Sequence, residues 1–424
     1  MLQVAFIREN KEHVIKGLKK RNLSDAAGRI EAILSLDEKR RTTQMSHDDL
    51  LAHANQTARE IGQLMKEGQK EKADEARQLA QKEKTKAKEL AEALTSLENE
   101  LKEALYNIPN VPNDKVPAGT SADDNECVRE GGVIPDLHEG AVPHWELIRQ
   151  YDIIDFELGN KITGAGFPVY KGKGARLQRA MINFFLNEAL EAGYTEIQPP
   201  IFINEASGYG TGQLPDKEGQ MYHMTTDNLY AIPTAEVPIT NIYRDEILLE
   251  ADLPVKNVGY TPCFRREAGA WGANVRGLNR LHQFDKVEIV QITHPEESYK
   301  TLEGMIKHVE GLLIKLELPY RILNLCGGDL GFTSAQTFDM EVYSAAQKKW
   351  LEVSSISNFE TFQANRLKLR YKNSQGKIAL LHTLNGSALA LPRILAAILE
   401  NNQTPGGIKI PAVLVPYTGF DEIN

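Results

Sequence analysis

Between Asn22 and Tyr106 the chain has no proline and no aromatic residue, and its apolar positions recur at intervals of three and four. The clearest run is Ala73, Ala76, Ala80, Glu83, Ala87, Leu90, Leu94, Leu97, Leu101 and Ala104, with Glu83 its single polar member. This spacing predicts a helix with one narrow apolar seam, as in a coiled coil. The stretch before it is patchier. Ile30 and Ile33 fit, as do Leu51, Ala54, Ala58, Ile61 and Met65, but Asp37, Arg40, Gln44 and His47 occupy the seam between them. A break around Gly68 separates the halves, so the pattern predicts two helices joined by a tight turn, an antiparallel hairpin. Each helix of about 38 residues, at ~1.5 Å per residue, is on the order of 55 Å long. One seam is little core. Either the hairpin projects from a larger body, or it packs as a dimerising coiled coil or helical domain; the pattern alone does not separate these.

Proline returns with Pro109, Pro112 and Pro117 in IPNVPNDKVPAGTSADDN, which reads as a linker or boundary. Three regions follow: a helical domain over 1–108, a linker over 109–135, and a larger domain over 136–424. In the last, short strands and helices alternate. GARLQRAMINFFLNEALEAG places Leu177, Met181, Phe184 and Leu190 on a helix with Gly193 just past its end. TEIQPP is a short strand stopped by Pro199 and Pro200. LHQFDKVEIVQI alternates as a strand, and IALLHTLNGSALALPRILAAILE runs strand, turn, helix. The layout is antiparallel, because no GxGxxG opens a helix and no P-loop frame is present.

Composition narrows the class. The 424 residues carry 49 Lys+Arg against 58 Asp+Glu, a formal charge of −9. An acidic total argues against a broadly basic nucleic-acid surface, so any RNA contact requires a local basic stripe. No apolar run approaches the ~18 residues of a membrane span, and Arg8 and Glu9 interrupt the N-terminus before a secretory segment could form. Cys127, Cys263 and Cys326 are odd in number and lack metal-ligand spacing. These features predict a soluble cytoplasmic protein without a membrane partner.

Side chains two apart on a strand share a face. In TPCFRREAG this pairs Arg265 with Glu267, and in LHQFDKVEIV it groups His282, Phe284, Lys286 and Glu288. Such a face either meets a ligand or lies as an exposed, solvated hairpin; parity leaves both open. The residues themselves then resemble a family. FRREAG…RGLNRLHQF and NGSALALPRILAAILE are similar to motifs 2 and 3 of class II aminoacyl-tRNA synthetases, and the segment ending GYTEIQPP resembles motif 1. With the helical hairpin, TAE at 234–236, HQFDKVE and LHTLNGS, essentially the whole chain resembles the bacterial-type seryl-tRNA synthetases, in the right order.

The resemblance implies an α+β fold: an N-terminal antiparallel coiled-coil hairpin that binds tRNA, and a class II catalytic domain built on an antiparallel sheet flanked by helices. It implies activation of L-serine with ATP to seryl-adenylate, then transfer to tRNA(Ser) and, where present, tRNA(Sec). Arg265 and Arg393 are the implied catalytic residues. ATP contacts fall to Arg265, Arg266, Glu267, Phe284, Glu352, Val353, Ser354, Ser355 and Arg393. Serine contacts fall to Thr234, Ala235, Glu236, Arg265, Glu288 and Ser387. Glu352 and Ser355 would hold Mg²⁺; three apart, they lie on opposite faces of a regular strand unless it ends or bulges near Ser354. Motif 1 implies a homodimer.

The serine carboxylate is already ionised near neutral pH, so no general base is needed, and none of the usual nucleophile–base arrangements stands out. The sequence departs from the family pattern at Arg266, where serine is common, and at Asn274–Val275, which replace Asp–Thr. Two competing readings are a ligase that loads a carrier protein, which has no use for the long arm, and an inactive paralogue. The second predicts damage at Arg265, Glu267, Glu352 or Arg393, yet all four are present.

Overall fold

A computed structural model describes residues 1–216, 218–267 and 276–424, so Asn274 and Val275 lie outside the described residues. The chain divides into two compact units, one of Leu2–Lys19 and Leu23–Pro109, the other mainly Asn110–Asn424.

In the first unit, α1 (Val4–Glu9) and α2 (Lys11–Lys20) precede two long helices, α3 (Ala26–Lys66) and α4 (Lys70–Tyr106). The Asp25 carboxylate caps α3 by accepting from the Gly28 N–H at 3.2 Å. At the turn between the helices, Gly68 takes φ +79°, a left-handed conformation that costs glycine little. The two helices pack side by side as an antiparallel hairpin. Every predicted seam position of α4 from Ala73 to Ala104 is at least partly buried. The polar member is matched across the hairpin, where Glu83 Oε1 lies 2.6 Å from His53 Nδ1. In α3 the distal seam falls elsewhere than expected. Leu50, Ala54, Thr57, Ile61 and Leu64 turn inward, while Leu51, Ala58 and Met65 are exposed. The inward set continues the three-four spacing from His47. Thr57 is tolerated there because its hydroxyl donates to the His53 carbonyl at 3.1 Å. Asp37, the most buried polar seam residue, is clamped by Arg8 at 2.6 Å and Arg40 at 3.0 Å.

The second unit is built on an eight-stranded sheet. In chain order its strands are β1 (Glu126–Gly131), β2 (Thr195–Glu196), β3 (Val255–Phe264), β4 (Gln283–Thr293), β5 (Tyr320–Asn324), β6 (Gln336–Ser344), β7 (Lys349–Glu360) and β8 (His382–Ala390). Their spatial order is β1-β5-β6-β7-β8-β4-β3-β2, antiparallel throughout except for the β2–β3 pair. β1 comes from the stretch expected as linker. One face of the sheet packs on α6 (Gly172–Glu191), α8 (Ser298–Lys315) and α10 (Leu391–Asn401), burying Leu177, Met181, Phe184, Phe185, Val287, Ile289, Met340, Ile356 and Ile394. In α6, Leu190 is exposed and Ala189 takes the core position. Gly193 follows the helix at φ +82°, as expected. β8 runs directly into α10 with no intervening turn. The architecture is α+β. Cys263 and Cys326 are buried and Cys127 is exposed; all three are free thiols.

Candidate active site

The sheet face opposite the helices carries part of the expected site, including Phe284 and Glu288. On β4, Val287 and Ile289 enter the core beneath the helices, so Phe284, Lys286 and Glu288 face the other way. Register places Glu288 opposite Ser387 of β8, and the Ser387 hydroxyl donates to Glu288 Oε2 at 3.4 Å. Lys286 Nζ lies 2.5 Å from the same carboxylate, with both side chains almost fully buried. Glu236 opens the short helix α7 (Glu236–Asn241), and its backbone N–H donates to Thr234 Oγ1 at 3.2 Å. Ala235 between them is fully buried. The Glu236 carboxylate accepts from Gln363 Nε2 at 2.6 Å, and Gln363 Oε1 accepts from Thr383 at 2.7 Å. Burial raises the Glu236 pKa to about 7, and Glu288 pushes the same way, while Gln363, Lys286 and Asn385 oppose. Two carboxylates thus share one lysine. The residual negative charge, beside the hydroxyls of Thr234 and Ser387, suits a small ammonium-bearing ligand with a hydroxyl, and that cation would pull the Glu236 pKa back down.

Arg265 adjoins this cluster. β3 ends at Phe264, so strand parity does not orient Arg265 and Glu267. Instead the Arg265 N–H donates to the His282 carbonyl at 2.9 Å, and its Nε donates to the Pro233 carbonyl at 3.3 Å. Its guanidinium stands 5.3 Å from the Phe284 ring centroid, a cation–π contact. Glu267 takes φ +51° and pairs with Arg280. Arg266 has different neighbours: it is exposed, stacks 4.8 Å from the Tyr222 ring centroid and donates to the Met221 carbonyl at 3.0 Å.

A β-bulge reconciles Glu352 with Ser355. Asp339 pairs with Ser355 and Met340 with Ser354, but Glu341 pairs with Glu352, which leaves Val353 as the extra residue. Asp339 and Glu341 share a face, so their partners Ser355 and Glu352 do too. Val353 and Ser354 turn to the other side: Val353 joins the core and Ser354 donates to the Ser387 carbonyl at 2.6 Å. Only their main chain is left to reach a ligand. Asp339 has one buried oxygen without a hydrogen-bond partner, and burial, followed by the charge of Glu352, drives its pKa well above the usual range. Glu352 and Ser355 offer two hard oxygens on one face, a set that fits Mg²⁺ completed by phosphate oxygens and water. Among the described residues, no group of three or more His, Cys, Asp or Glu side chains could hold a metal unaided.

Arg393 completes the site. Helix α10 begins at Leu391 with Pro392 as its second residue, and Arg393 lies in its first turn. Its guanidinium donates to the Asn279 carbonyl at 3.0 Å and to the Glu352 carbonyl at 2.8 Å, with the Glu352 carboxylate 3.6 Å away. Sequence reasoning had grouped Lys286 with Glu288 on one face without giving it a role. Nothing in the sequence pattern points to Gln363, which arrives from another element, or to Asp339, an ordinary strand carboxylate by its neighbours, while Asn385 lies within LHTLNGS two residues before Ser387.

Residues 1–112 match the seryl-tRNA synthetase N-terminal domain, and residues 221–402 match the tRNA synthetase class II core domain (G, H, P, S and T). The chain is 48% identical over 426 residues to the serine–tRNA ligase of Salinibacter ruber, covering 100% of this chain and 99% of that one. It superimposes on the seryl-tRNA synthetase of Pyrococcus horikoshii, solved in complex with ATP, with a TM-score of 0.94 at 35% identity, covering 100% and 99% of the two chains. The cytoplasmic serine–tRNA ligase of Naegleria fowleri, solved with AMP, gives 0.88 at 26% identity, with coverage of 100% and 99%. No helix among the described residues is long and apolar enough to cross a membrane. With its hairpin, its antiparallel sheet and these likenesses along its whole length, the chain belongs to the seryl-tRNA synthetase family of class II aminoacyl-tRNA synthetases.

Proposed function

We propose that this chain is a serine–tRNA ligase that activates L-serine with ATP and transfers it to tRNA(Ser), and to tRNA(Sec) where the cell has one. The observation that carries the reading is the buried pairing of Glu288 with Ser387 beside Glu236, next to Arg265. Glu236 and Glu288 balance the serine ammonium and accept from its hydroxyl, with Thr234 and Ser387 as further partners. A site built around that hydroxyl rejects alanine and glycine, because its buried groups are then left unpaired.

In the first step a serine carboxylate oxygen attacks the α-phosphorus, and pyrophosphate leaves. Arg265 spans the carboxylate and the α-phosphate with its planar fork, Glu267 accepts from the adenine amino group, Phe284 stacks on the ring, and Arg393 meets the γ-phosphate. Glu352 and Ser355 would hold Mg²⁺, which when bound would supply neutralisation of phosphate charge. In the second step a terminal ribose hydroxyl of the tRNA attacks the seryl carbonyl and AMP leaves. Residues 1–108 form the tRNA-binding domain, whose hairpin reads the shape and backbone of the tRNA rather than its anticodon. The catalytic domain, which runs from Asn110 and includes β1, works in the cytoplasm as a homodimer paired through motif 1.

The test is amino-acid-dependent ATP–pyrophosphate exchange across all twenty amino acids, with and without tRNA. Exchange with serine alone, independent of tRNA, is expected. Exchange with alanine or glycine instead would point to carrier loading and overturn the pocket assignment.

A further inference from the structure

A buried polar chain links the interior of the catalytic unit to Arg393. His144, on α5 (His144–Gln150), is fully buried, and so is Glu400 at the end of α10. His144 Nδ1 lies 2.6 Å from Glu400 Oε1, and the His144 backbone N–H donates to the same oxygen at 2.9 Å. On the far side of the ring, the Leu278 backbone N–H donates to Nε2 at 2.9 Å. An acceptor at Nε2 has no proton there, so the imidazole is the Nδ1–H tautomer and Glu400 orients it. The Nε2–Cδ2 edge of the ring faces Gly277, where φ is +65° and a Cβ would come within 2.4 Å of Nε2. Only glycine fits that approach.

The Glu400 carboxylate is satisfied on every side, by His144, by Ser344 and by Gln347 Nε2 at 2.8 Å. Burial pushes its pKa up, but the hydrogen bonds from His144 and Ser344 prevail and hold it below the ordinary range. Gln347 in turn accepts from Asn279 Nδ2 at 2.9 Å. The next two residues of α5 grip the same turn from outside: Trp145 stacks 4.8 Å from the Arg276 guanidinium, and Glu146 pairs with Arg276 at 3.1 Å. The turn Gly277–Asn279 is therefore anchored through a backbone N–H, a side-chain amide and a surface pair. Its outgoing group is the Asn279 carbonyl, which accepts from Arg393 Nε. Glu400 stands seven residues beyond Arg393, two turns along the same helix, so both ends of the chain rest on α10.

We infer that His144, oriented by Glu400, is a positioning residue for the phosphate end of the ATP site: it fixes the Gly277–Asn279 turn, whose Asn279 carbonyl sets the plane of the Arg393 guanidinium. This rests on the reading of Arg393 as the γ-phosphate residue. A planar fork must meet phosphate oxygens in one orientation, and an error of an ångström at such a contact costs up to about a hundredfold in rate. His144 touches no reacting atom.

The experiment is serine-dependent exchange with the full chain, with KM for ATP, KM for serine and kcat measured separately, alongside thermal unfolding. His144→Phe keeps an aromatic ring but removes both ring hydrogen bonds. The expected result is a rise of about tenfold in KM for ATP with a fall in kcat, while KM for serine stays within twofold. His144→Gln, which can still accept from Leu278, is expected to retain more ATP affinity than His144→Asn, which can only reach Glu400. A residue that merely filled the core would not produce that ranking. In an Arg393→Ala background, His144→Phe should add no further loss. A folded His144→Phe with wild-type ATP parameters overturns the inference, as does an undiminished loss without Arg393. If His144→Phe does not fold, Gln347→Leu cuts the link from the outside and should raise KM for ATP in the same direction; no change there overturns the inference equally. If Arg393→Ala alone leaves exchange at the wild-type rate, it is the ATP-site reading that falls, and that outcome is distinct.

Discussion

In the helical arm, Asp37 is buried between two arginines, Arg8 and Arg40, and Glu83 pairs with His53. On the sheet side, Glu236 has the amides of Gln363 and Asn385 as partners and another carboxylate as its neighbour, and among the described residues Lys286 is the cation that offsets the pair. The arm balances its buried charge and the sheet does not. Burying a carboxylate that has neither a cation nor a full set of hydrogen bonds, such as Glu400 has, is unfavourable, so it suits a place where a ligand supplies the missing charge. On the proposed reading, unbalanced burial, rather than burial itself, marks the carboxylates that meet the serine.

The largest break in this comparison comes from the sheet side. Arg265→Ala is expected to lower serine-dependent exchange by about a thousandfold, the range for loss of one donor aimed at developing charge. Retention of wild-type exchange would sink its role. Glu236→Gln should lower kcat/KM for serine by about ten- to a hundredfold, because a charge-assisted contact is lost, while KM for ATP holds. The same substitution carries a stability signature of definite sign. With a folded pKa of about 7 against an ordinary 4.5, native Glu236 holds a proton that the unfolded chain has released between those values. Wild-type stability therefore falls as pH rises through that window and levels off above it. The glutamine variant lacks that fall, so calorimetry should find its Tm, relative to wild type, higher at pH 8 than at pH 5. An equal difference at both pH values would remove the claim that the buried charge is unbalanced.

The arm should respond in the opposite sense. Asp37→Ala is expected to destabilise by about 1–2 kcal/mol, since it leaves two partly solvated arginines without their carboxylate. Exchange with serine should be unaffected. A loss of exchange comparable to that of Glu236→Gln would erase the distinction between the two regions. His53→Ala is the smallest step. Its ring is more than half exposed, so a cost of a few tenths of a kcal/mol in denaturant unfolding is expected. A cost above 2 kcal/mol would mean that Glu83 depends on that single partner.

The arm was legible because helical contacts are local: a seam repeats every three or four residues, and α4 follows it from Ala73 to Ala104. Even there, α3 slipped at Leu51, Ala58 and Met65, since a stripe interrupted by Asp37, Arg40, Gln44 and His47 can be continued in more than one phase. The strand pairing of Lys286 with Glu288 was readable from alternation alone. Arg265 and Glu267 were not oriented by alternation, because β3 stops one residue before them. Arg393 falls in the first turn of its helix, directly after Pro392, a residue that the first turn accommodates without losing a hydrogen bond.

By itself, the sequence determined the helical hairpin, the alternating strands, and which polar residues would be forced onto otherwise apolar faces. These follow from periodicity, which is set within a few residues of chain. Tertiary structure alone decided that a bulge at Val353 puts Glu352 and Ser355 on one face, that Gln363 reaches Glu236 across 127 residues, and that His144 and Glu400 meet across 256. Strand register and the meeting of distant segments depend on which packing of the whole unit buries the most apolar surface while pairing its polar groups, and no local pattern encodes that choice.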